Sequence, residues 1–339
     1  MEPLLQVKNL TINFQTYAGT IQAVRGLDLT LNPQDVLVVV GESGCGKTVM
    51  SKSILRLLPS NITKISDQSK ILFHGKNLLQ LKEKELRKVR GRDISMIFQD
   101  PMTYLNPTMT VGEQIAESLM IHEKLSKKKA MEKSIDILEL VRIPNPKERI
   151  RQFPHEFSGG MRQRVVIAIA LACSPEILIA DEPTTALDVT IQADIMDLLL
   201  DLRKKLGMSI LLITHDLGLA AEIATKIHVM YAGKIVEKAT AKELFDQPAH
   251  PYTRALLQSV PDISGLSKSR LYSLKGHPPD LLSPPKGCGF MNRCAFAMKV
   301  CANYEPPLYS LSKDHSYRCW MGHPMGQGSK TKEGSYANV

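Results

Sequence analysis

Lys47 and Thr48 close the run Gly41-Glu42-Ser43-Gly44-Cys45-Gly46-Lys47-Thr48, and Val49 continues the stretch that follows. Glycines at this spacing let backbone N–H groups curl around phosphates, the lysine supplies a point charge to β and γ oxygens, and the threonine hydroxyl can ligate Mg2+. The run lies between the apolar segment Val36 to Val40 and a helix-forming stretch, the strand–loop–helix setting that a phosphate loop requires. The chemistry expected is the binding of a nucleoside triphosphate.

Other segments end in side chains suited to cleaving it. Ile177-Leu-Ile-Ala-Asp181-Glu182 is an apolar strand finishing in two carboxylates, Asp181 beside the Mg2+ shell and Glu182 placed to polarise a water. Gln99 follows the strand-like Ile94 to Phe98, and His215 follows Leu211-Leu-Ile-Thr. Four strand ends would then meet at the carboxyl edge of one sheet, where α/β folds bind ligands. In Phe157-Ser158-Gly159-Gly160-Met161 a Ser-Gly-Gly turn opens a helix, whose free N–H groups and positive dipole form a second anion site.

The elements that must hold these groups alternate. Strands are expected over Ile21–Leu31 and Val36–Val40, a helix from Lys47 to Leu58, then strands at Ile71–Phe73, Gly75–Asn77 and Ile94–Phe98. Between Pro101 and Pro154 the pattern turns helical and polar, with amphipathic runs at Glu113–His122 and Lys127–Val141, so a helical subdomain is expected over about 100–157. Strand and helix then alternate from Ser158 to Val236, which predicts a mostly parallel sheet. Within the helix from Thr190 to Leu206, Ile191, Ile195, Leu198, Leu199 and Leu202 share one stripe, Asp188 is placed to cap the start and Gly207 to stop the end.

The 339 residues suit one large unit and a smaller one, expected at 1–262 and 263–325, with a disordered tail over 326–339. Lys and Arg outnumber Asp and Glu by 43 to 34, a net charge of +9 compatible with nucleic acid, an anionic membrane surface or simply nucleotide. No apolar stretch approaches the roughly 20 residues that span a bilayer, and the N-terminus lacks the form of a signal peptide. A cytosolic setting disfavours structural disulfides among the six cysteines.

The order phosphate loop, Gln99, Ser158-Gly-Gly, Asp181-Glu182, Asp188, His215 resembles the ATP-binding-cassette (ABC) ATPases over about residues 4–260. The resemblance implies that Lys47 and Thr48 hold phosphate and Mg2+, that Gln99 couples metal and water to the helical subdomain, that Glu182 is the catalytic base and that His215 senses the γ phosphate. It further implies that Ser158, Gly159 and Gly160 contact ATP bound to a second cassette, that Asp188 lies in the loop crossing that interface, and that an aromatic, here Tyr17, stacks on adenine. Phe157, Met161 and Tyr104 depart from the commoner residues at their positions, and none removes a catalytic group.

Phe98-Gln-Asp-Pro-Met-Thr-Tyr-Leu-Asn-Pro107, Phe153 to Arg164, Asp181 to Gln192 and His250-Pro-Tyr-Thr253 resemble the oligopeptide and dipeptide importers within that family. This implies a peripheral subunit on the cytoplasmic face of the membrane, paired with a second ATPase, docked on two permeases and served by an extracytoplasmic solute-binding protein, with no nucleic acid partner. Peptides are the cargo implied; nickel, metal chelates or antimicrobial peptides are the alternatives, and a soluble cassette acting on nucleic acid or ribosomes is a reading from another class. Cys288, Cys294, Cys301 and Cys319 are separated by five, six and seventeen residues, neither a C-x2-C zinc pattern nor a ferredoxin run. They are compatible with a tetrahedral metal site, a [4Fe-4S] cluster or four reduced thiols. Some members of the resembled group carry such a cluster. Cys45 and Cys173 are not expected to be ligands.

Overall fold

In a computed structural model, described over residues 2–99, 104–184, 188–259 and 274–324, the chain forms two sheets. The strands in chain order are β1 (Leu5–Thr16), β2 (Gly19–Leu31), β3 (Val36–Val40), β4 (Thr63–Ile65), β5 (Lys70–Phe73), β6 (Lys76–Asn77) and β7 (Ile94–Ile97). They continue with β8 (Ile177–Asp181), β9 (Ser209–Thr214), β10 (Lys226–Tyr231), β11 (Lys234–Thr240), β12 (Tyr309–Ser310) and β13 (Ser316–Tyr317). The larger sheet runs β12-β13-β11-β10-β3-β9-β8-β7. Its five strands from β10 to β7 are parallel, and β11 to β12 extend it antiparallel.

Every residue of β3, β7, β8 and β9 is buried. These strands are near-continuous apolar runs because both faces of the parallel sheet are covered. Val36, Val38 and Val40 point into a core shared with the helices, including the helical insertion (Val111–His122, Lys127–Leu140) and Gly159–Leu171. Leu37 and Val39 point into a second core with the smaller antiparallel sheet, β2-β1-β5-β6 with β4 on β1. The helix Val189–Leu206 begins at Asp188, whose Oδ1 accepts from the amide of Ile191 at 2.9 Å, and ends at Gly207 in the left-handed region.

Strands β2, β5 and β6 were expected, but β1, β4 and the separate antiparallel sheet that they complete were not. Leu5 and Val7 alternate inward, then Leu10 and Ile12 do so on the opposite parity, because the pairing with β2 slips where Asn9 turns to φ 47°. That slip breaks the period-2 signal in half. The first helix is also shorter than the periodicity predicts, ending at Ile54.

Residues 274–324 do not stand apart as a lobe with its own sheet. β13 pairs with β11, the amide of Gln22 donates to Leu281 O at 2.9 Å, and Phe290 lies in the helical core against Tyr231 and Tyr252. Glu237 on β11 is the joint: fully buried, it accepts from the amides of Ala249 and His250 at 2.7 and 2.8 Å and meets His315 Nε2 at 2.7 Å. The boundary expected near residue 262 and the tail expected over 326–339 lie outside the described residues.

Candidate nucleotide site

In-register parallel pairing sets Val40 beside Thr214, Asp181 beside Ile213 and Ile97 beside Ala180. The segments that follow β3, β7, β8 and β9 therefore leave the sheet at one edge, and all carry the predicted chemistry. The phosphate loop passes from β3 into the helix Lys47–Ile54 through Gly46, at φ 103°. A Cβ on Gly46 would lie 2.4 Å from the carbonyl oxygen of Ala23, so both conformation and space demand glycine. A Cβ on Gly41 would lie 2.2 Å from Met230 O.

Lys47 is 5% exposed, and its Nζ donates to the carbonyl oxygens of Gly41 and Glu42 at 2.7 and 3.0 Å. The charge is thereby stored inside the curl of the loop. Ser43 and Gly44 are exposed at its tip, while Val49 packs against the second core. Cys45 is buried, and that burial pushes its thiol up despite Lys47 nearby, so it contributes packing and not a nucleophile.

Thr48 Oγ1 donates to Asp181 Oδ1 at 3.2 Å, and Ser51 Oγ donates to Oδ2 at 3.1 Å. Burial raises the Asp181 carboxyl above its ordinary range, with the Ser51 and Thr48 bonds opposing that shift. A carboxylate and a hydroxyl converging beside a phosphate loop form a hard oxygen donor set suited to Mg2+. Ser51 was missed in the sequence, although it lies one helical turn beyond Lys47.

Glu182 adopts φ 49°, with its amide bonded to Ile213 O at 2.9 Å. Strained non-glycine backbone of this kind persists where the surroundings dictate it, often at functional sites. Gln99 Nε2 donates to Glu182 Oε2 at 3.1 Å, and His215 Nδ1 lies 3.6 Å from Oε1. Glu182 is largely enclosed, whereas the His215 side chain is 63% exposed. The three residues singled out from separate motifs thus form one group, a carboxylate oriented by a glutamine and faced by an imidazole. Gln99 thus reaches Glu182.

Ser158 caps the helix Gly159–Leu171, its Oγ accepting from the amide of Met161 at 3.4 Å. Ser158 and Gly159 are exposed, and Gly160 is buried against Ile191. Gln163, fully buried on the same helix, donates to Pro183 O at 2.5 Å and so ties the Ser158 turn to the residue after Glu182. Gln192 Nε2 donates to Thr184 O at 3.2 Å from the other side. Asp188 is exposed. Residues 100–103, which follow Gln99, lie outside the described residues.

Tyr17 stands in the β1–β2 turn, fully exposed. Cys288, Cys294, Cys301 and Cys319 are free thiols around one small cavity of about 10 Å3, with Phe290, Phe296 and Trp320 among its other walls. Burial pushes Cys288 up to about 11 and Cys319 up to about 12. Among the described residues no group of three His, Cys, Asp or Glu is placed to hold a metal ion. His315 is a bystander to them, being committed to Glu237.

An ABC transporter family model matches residues 24–185, and a model of the oligopeptide/dipeptide transporter C-terminal region matches residues 236–301. The chain is 54% identical over 321 residues to the dipeptide transport ATP-binding protein DppD of Bacillus subtilis, covering 95% of each chain. It is 53% identical to the oligopeptide transport ATP-binding protein OppD of the same organism, over 95% of this chain and 89% of the relative. Among solved structures it is similar to the dimeric bacterial ABC transporter cassette MJ0796, with a TM-score of 0.62 at 26% identity over 70% of this chain and 98% of that one. The cbiO1 protein of Clostridium perfringens, part of the ABC transporter complex cbiONQ, matches with a TM-score of 0.61 at 27% identity, over 73% of this chain and 92% of that one. With the phosphate loop, Glu182 and the Ser158 turn arranged as described, the chain belongs to the ABC transporter ATPases, in the group of peptide-transport ATP-binding proteins.

Proposed function

We propose that this ATPase drives import of dipeptides or oligopeptides, bound at the cytoplasmic face of the membrane to two permeases and paired with a second ATPase, with an extracytoplasmic solute-binding protein delivering cargo. The observation that carries its chemistry is Glu182 held by Gln99 and faced by His215, at the sheet edge that also bears Lys47 and the Thr48–Asp181 pair. The names of the relatives support peptides as cargo. Among the described residues no helix is long and apolar enough to cross a membrane, so attachment would come through partners.

In this reading Lys47 exchanges its loop carbonyls for β and γ oxygens as ATP binds. Thr48 and Asp181, with Gln99 alongside, would hold Mg2+, which would offset the charge on the phosphates. Glu182 accepts a proton from water as the water oxygen bonds to the γ phosphorus and the bond to the β-bridging oxygen breaks, releasing ADP and phosphate. His215 would donate to a γ oxygen, and Tyr17, exposed in the β1–β2 turn, would stack on adenine. Ser158 and Gly159, exposed at a helix start, meet the ATP of the paired ATPase, with Asp188 in the crossing loop. The test is uptake into proteoliposomes carrying the assembled complex. ATP-dependent peptide accumulation is expected, whereas uptake of nickel, a metal chelate or an antimicrobial peptide alone would overturn the cargo, and recovery of ribosomes or DNA instead of permeases would overturn the class.

Residues 263–325 would be the group's C-terminal extension, with Cys288, Cys294, Cys301 and Cys319 as ligands of a [4Fe-4S] cluster. Four thiols line one small cavity, and cysteine is the usual ligand of such a cluster. Such a cluster would supply a redox-active, charge-delocalising group, and the chain's part is to exclude water with Phe290, Phe296 and Trp320. Anaerobic purification should yield about four iron and four sulfide per chain, and Cys294→Ser should lower both. Iron absent from the anaerobic protein would contradict the assignment.

A further inference from the structure

Arg293, the residue before Cys294, reaches across to the phosphate loop. Its Nη1 and Nη2 donate to the two carboxylate oxygens of Glu42 at 2.6 and 2.9 Å, a bidentate pair between positions 251 residues apart. Its remaining donors are also used: Nη1 reaches Tyr231 Oη at 3.2 Å, Nη2 reaches Leu274 O at 3.3 Å and Nε reaches Lys275 O at 3.0 Å. The Arg293 side chain is 5% exposed against 26% for Glu42. Glu42 is held a second way, because its amide donates to the hydroxyl of buried Tyr252 at 2.9 Å. Its carbonyl in turn accepts from Lys47 Nζ.

A carboxylate inside a phosphate loop is an electrostatic liability, since a free Glu42 would repel the triphosphate that Lys47 must attract. Arg293 removes that charge from the field and fixes the side chain with planar, fork-to-fork geometry that a lysine cannot reproduce. We propose that Arg293 is a positioning residue of the nucleotide site, making the cysteine-bearing segment part of the ATP-binding machinery by neutralising and pinning Glu42. Phe290, packed on Tyr231 and Tyr252, gives the same segment a second grip on the groups that hold the loop.

The inference rests on the ATPase reading, and the experiment separates the two. Affinity for a fluorescent ATP analogue and steady-state ATPase kinetics are measured on the assembled complex for wild type, Arg293→Ala, Arg293→Lys, Glu42→Gln and the Glu42→Gln/Arg293→Ala double variant. Arg293→Ala should weaken ATP binding on the order of tenfold, within the range of typical coupling between sites. KM should carry that loss, with kcat at saturating ATP changing less than about threefold. Arg293→Lys should recover part of the affinity. In the Glu42→Gln background Arg293→Ala should cost less than about threefold, the non-additivity expected of a pair acting as a unit. If wild type binds ATP and Arg293→Ala binds it equally well, or if the double variant shows the full loss, the inference fails while the ATPase reading stands. If wild type binds no ATP, that reading itself fails. Should Arg293→Ala not fold, Arg293→Lys and Glu42→Gln still decide: equal KM values for Arg293→Lys and wild type overturn the role of the fork.

Discussion

Glu182→Gln is expected to lower the rate of ATP cleavage by about 10²- to 10⁴-fold, the usual contribution of a positioned general base. The glutamine keeps the size of the side chain and can still meet Gln99 and His215, but it cannot take a proton from water. Lys47, Thr48 and Asp181 are untouched, so nucleotide affinity should stay within a few-fold of wild type. Phosphate release and binding of a fluorescent nucleotide, measured on the same preparation, check both halves. Turnover within tenfold of wild type would remove Glu182 from the role of base.

The second large effect concerns the joint at Glu237. Glu237→Ala removes the acceptor for the amides of Ala249 and His250 and the partner of His315, the two histidines being buried, and should destabilise the chain by about 3–5 kcal/mol, the cost typical of breaking a buried pair. A fall in melting temperature of the complete chain is the readout. A related acid sensitivity is built in. Burial holds His250 down to about 4 from 6.5, with Arg254 adding to the shift and Glu237 opposing it, and its neutral Nδ1 accepts from the amide of Tyr252. The unfolded chain therefore takes up a proton first as pH falls below 6.5, and stability declines until about pH 4. The depressed Glu237 carboxyl acts in the same direction lower down: burial opposes its ionisation, but the bonds from His315, Ala249 and His250 outweigh it. Its stabilising effect is present above 4.5 and is lost as pH falls through the lower folded value. His250→Asn, which keeps a cap acceptor without the titration, should flatten the upper part of the decline; an unchanged slope would contradict this assignment.

The catalytic edge was legible because its strands are buried on both faces. Val36 to Val40, Ile177 to Ala180 and Leu211 to Ile213 stand out as apolar runs, followed closely by the phosphate loop, by Asp181-Glu182 and by His215. Gln99, Glu182 and His215 are thus near their strands in sequence, and parallel in-register pairing brings them together in space. β1 was hidden by its change of register at Asn9, and the helices Glu83–Val89 and Leu217–Ile223 are too short to display a period. The Arg293–Glu42 pair carries no local signal at all. An arginine beside a cysteine and a glutamate inside a phosphate loop each read as ordinary members of their own motifs, and only the docking of 274–324 onto β11 and β2 joins them.

Ser158 and Gly159 are exposed at a helix start, while Gln163 fixes that helix to Pro183, the residue after Glu182. The turn is rigid on its inner side and open on its outer side, as a surface for a neighbouring subunit's nucleotide must be. The most direct measurement is ATP turnover by the complex assembled with Ser158→Arg, alongside binding of the first nucleotide. Binding at the Lys47 loop should persist while turnover is lost, because the arginine obstructs the shared site and leaves the chain's own loop intact. Full turnover in that variant would contradict a composite site.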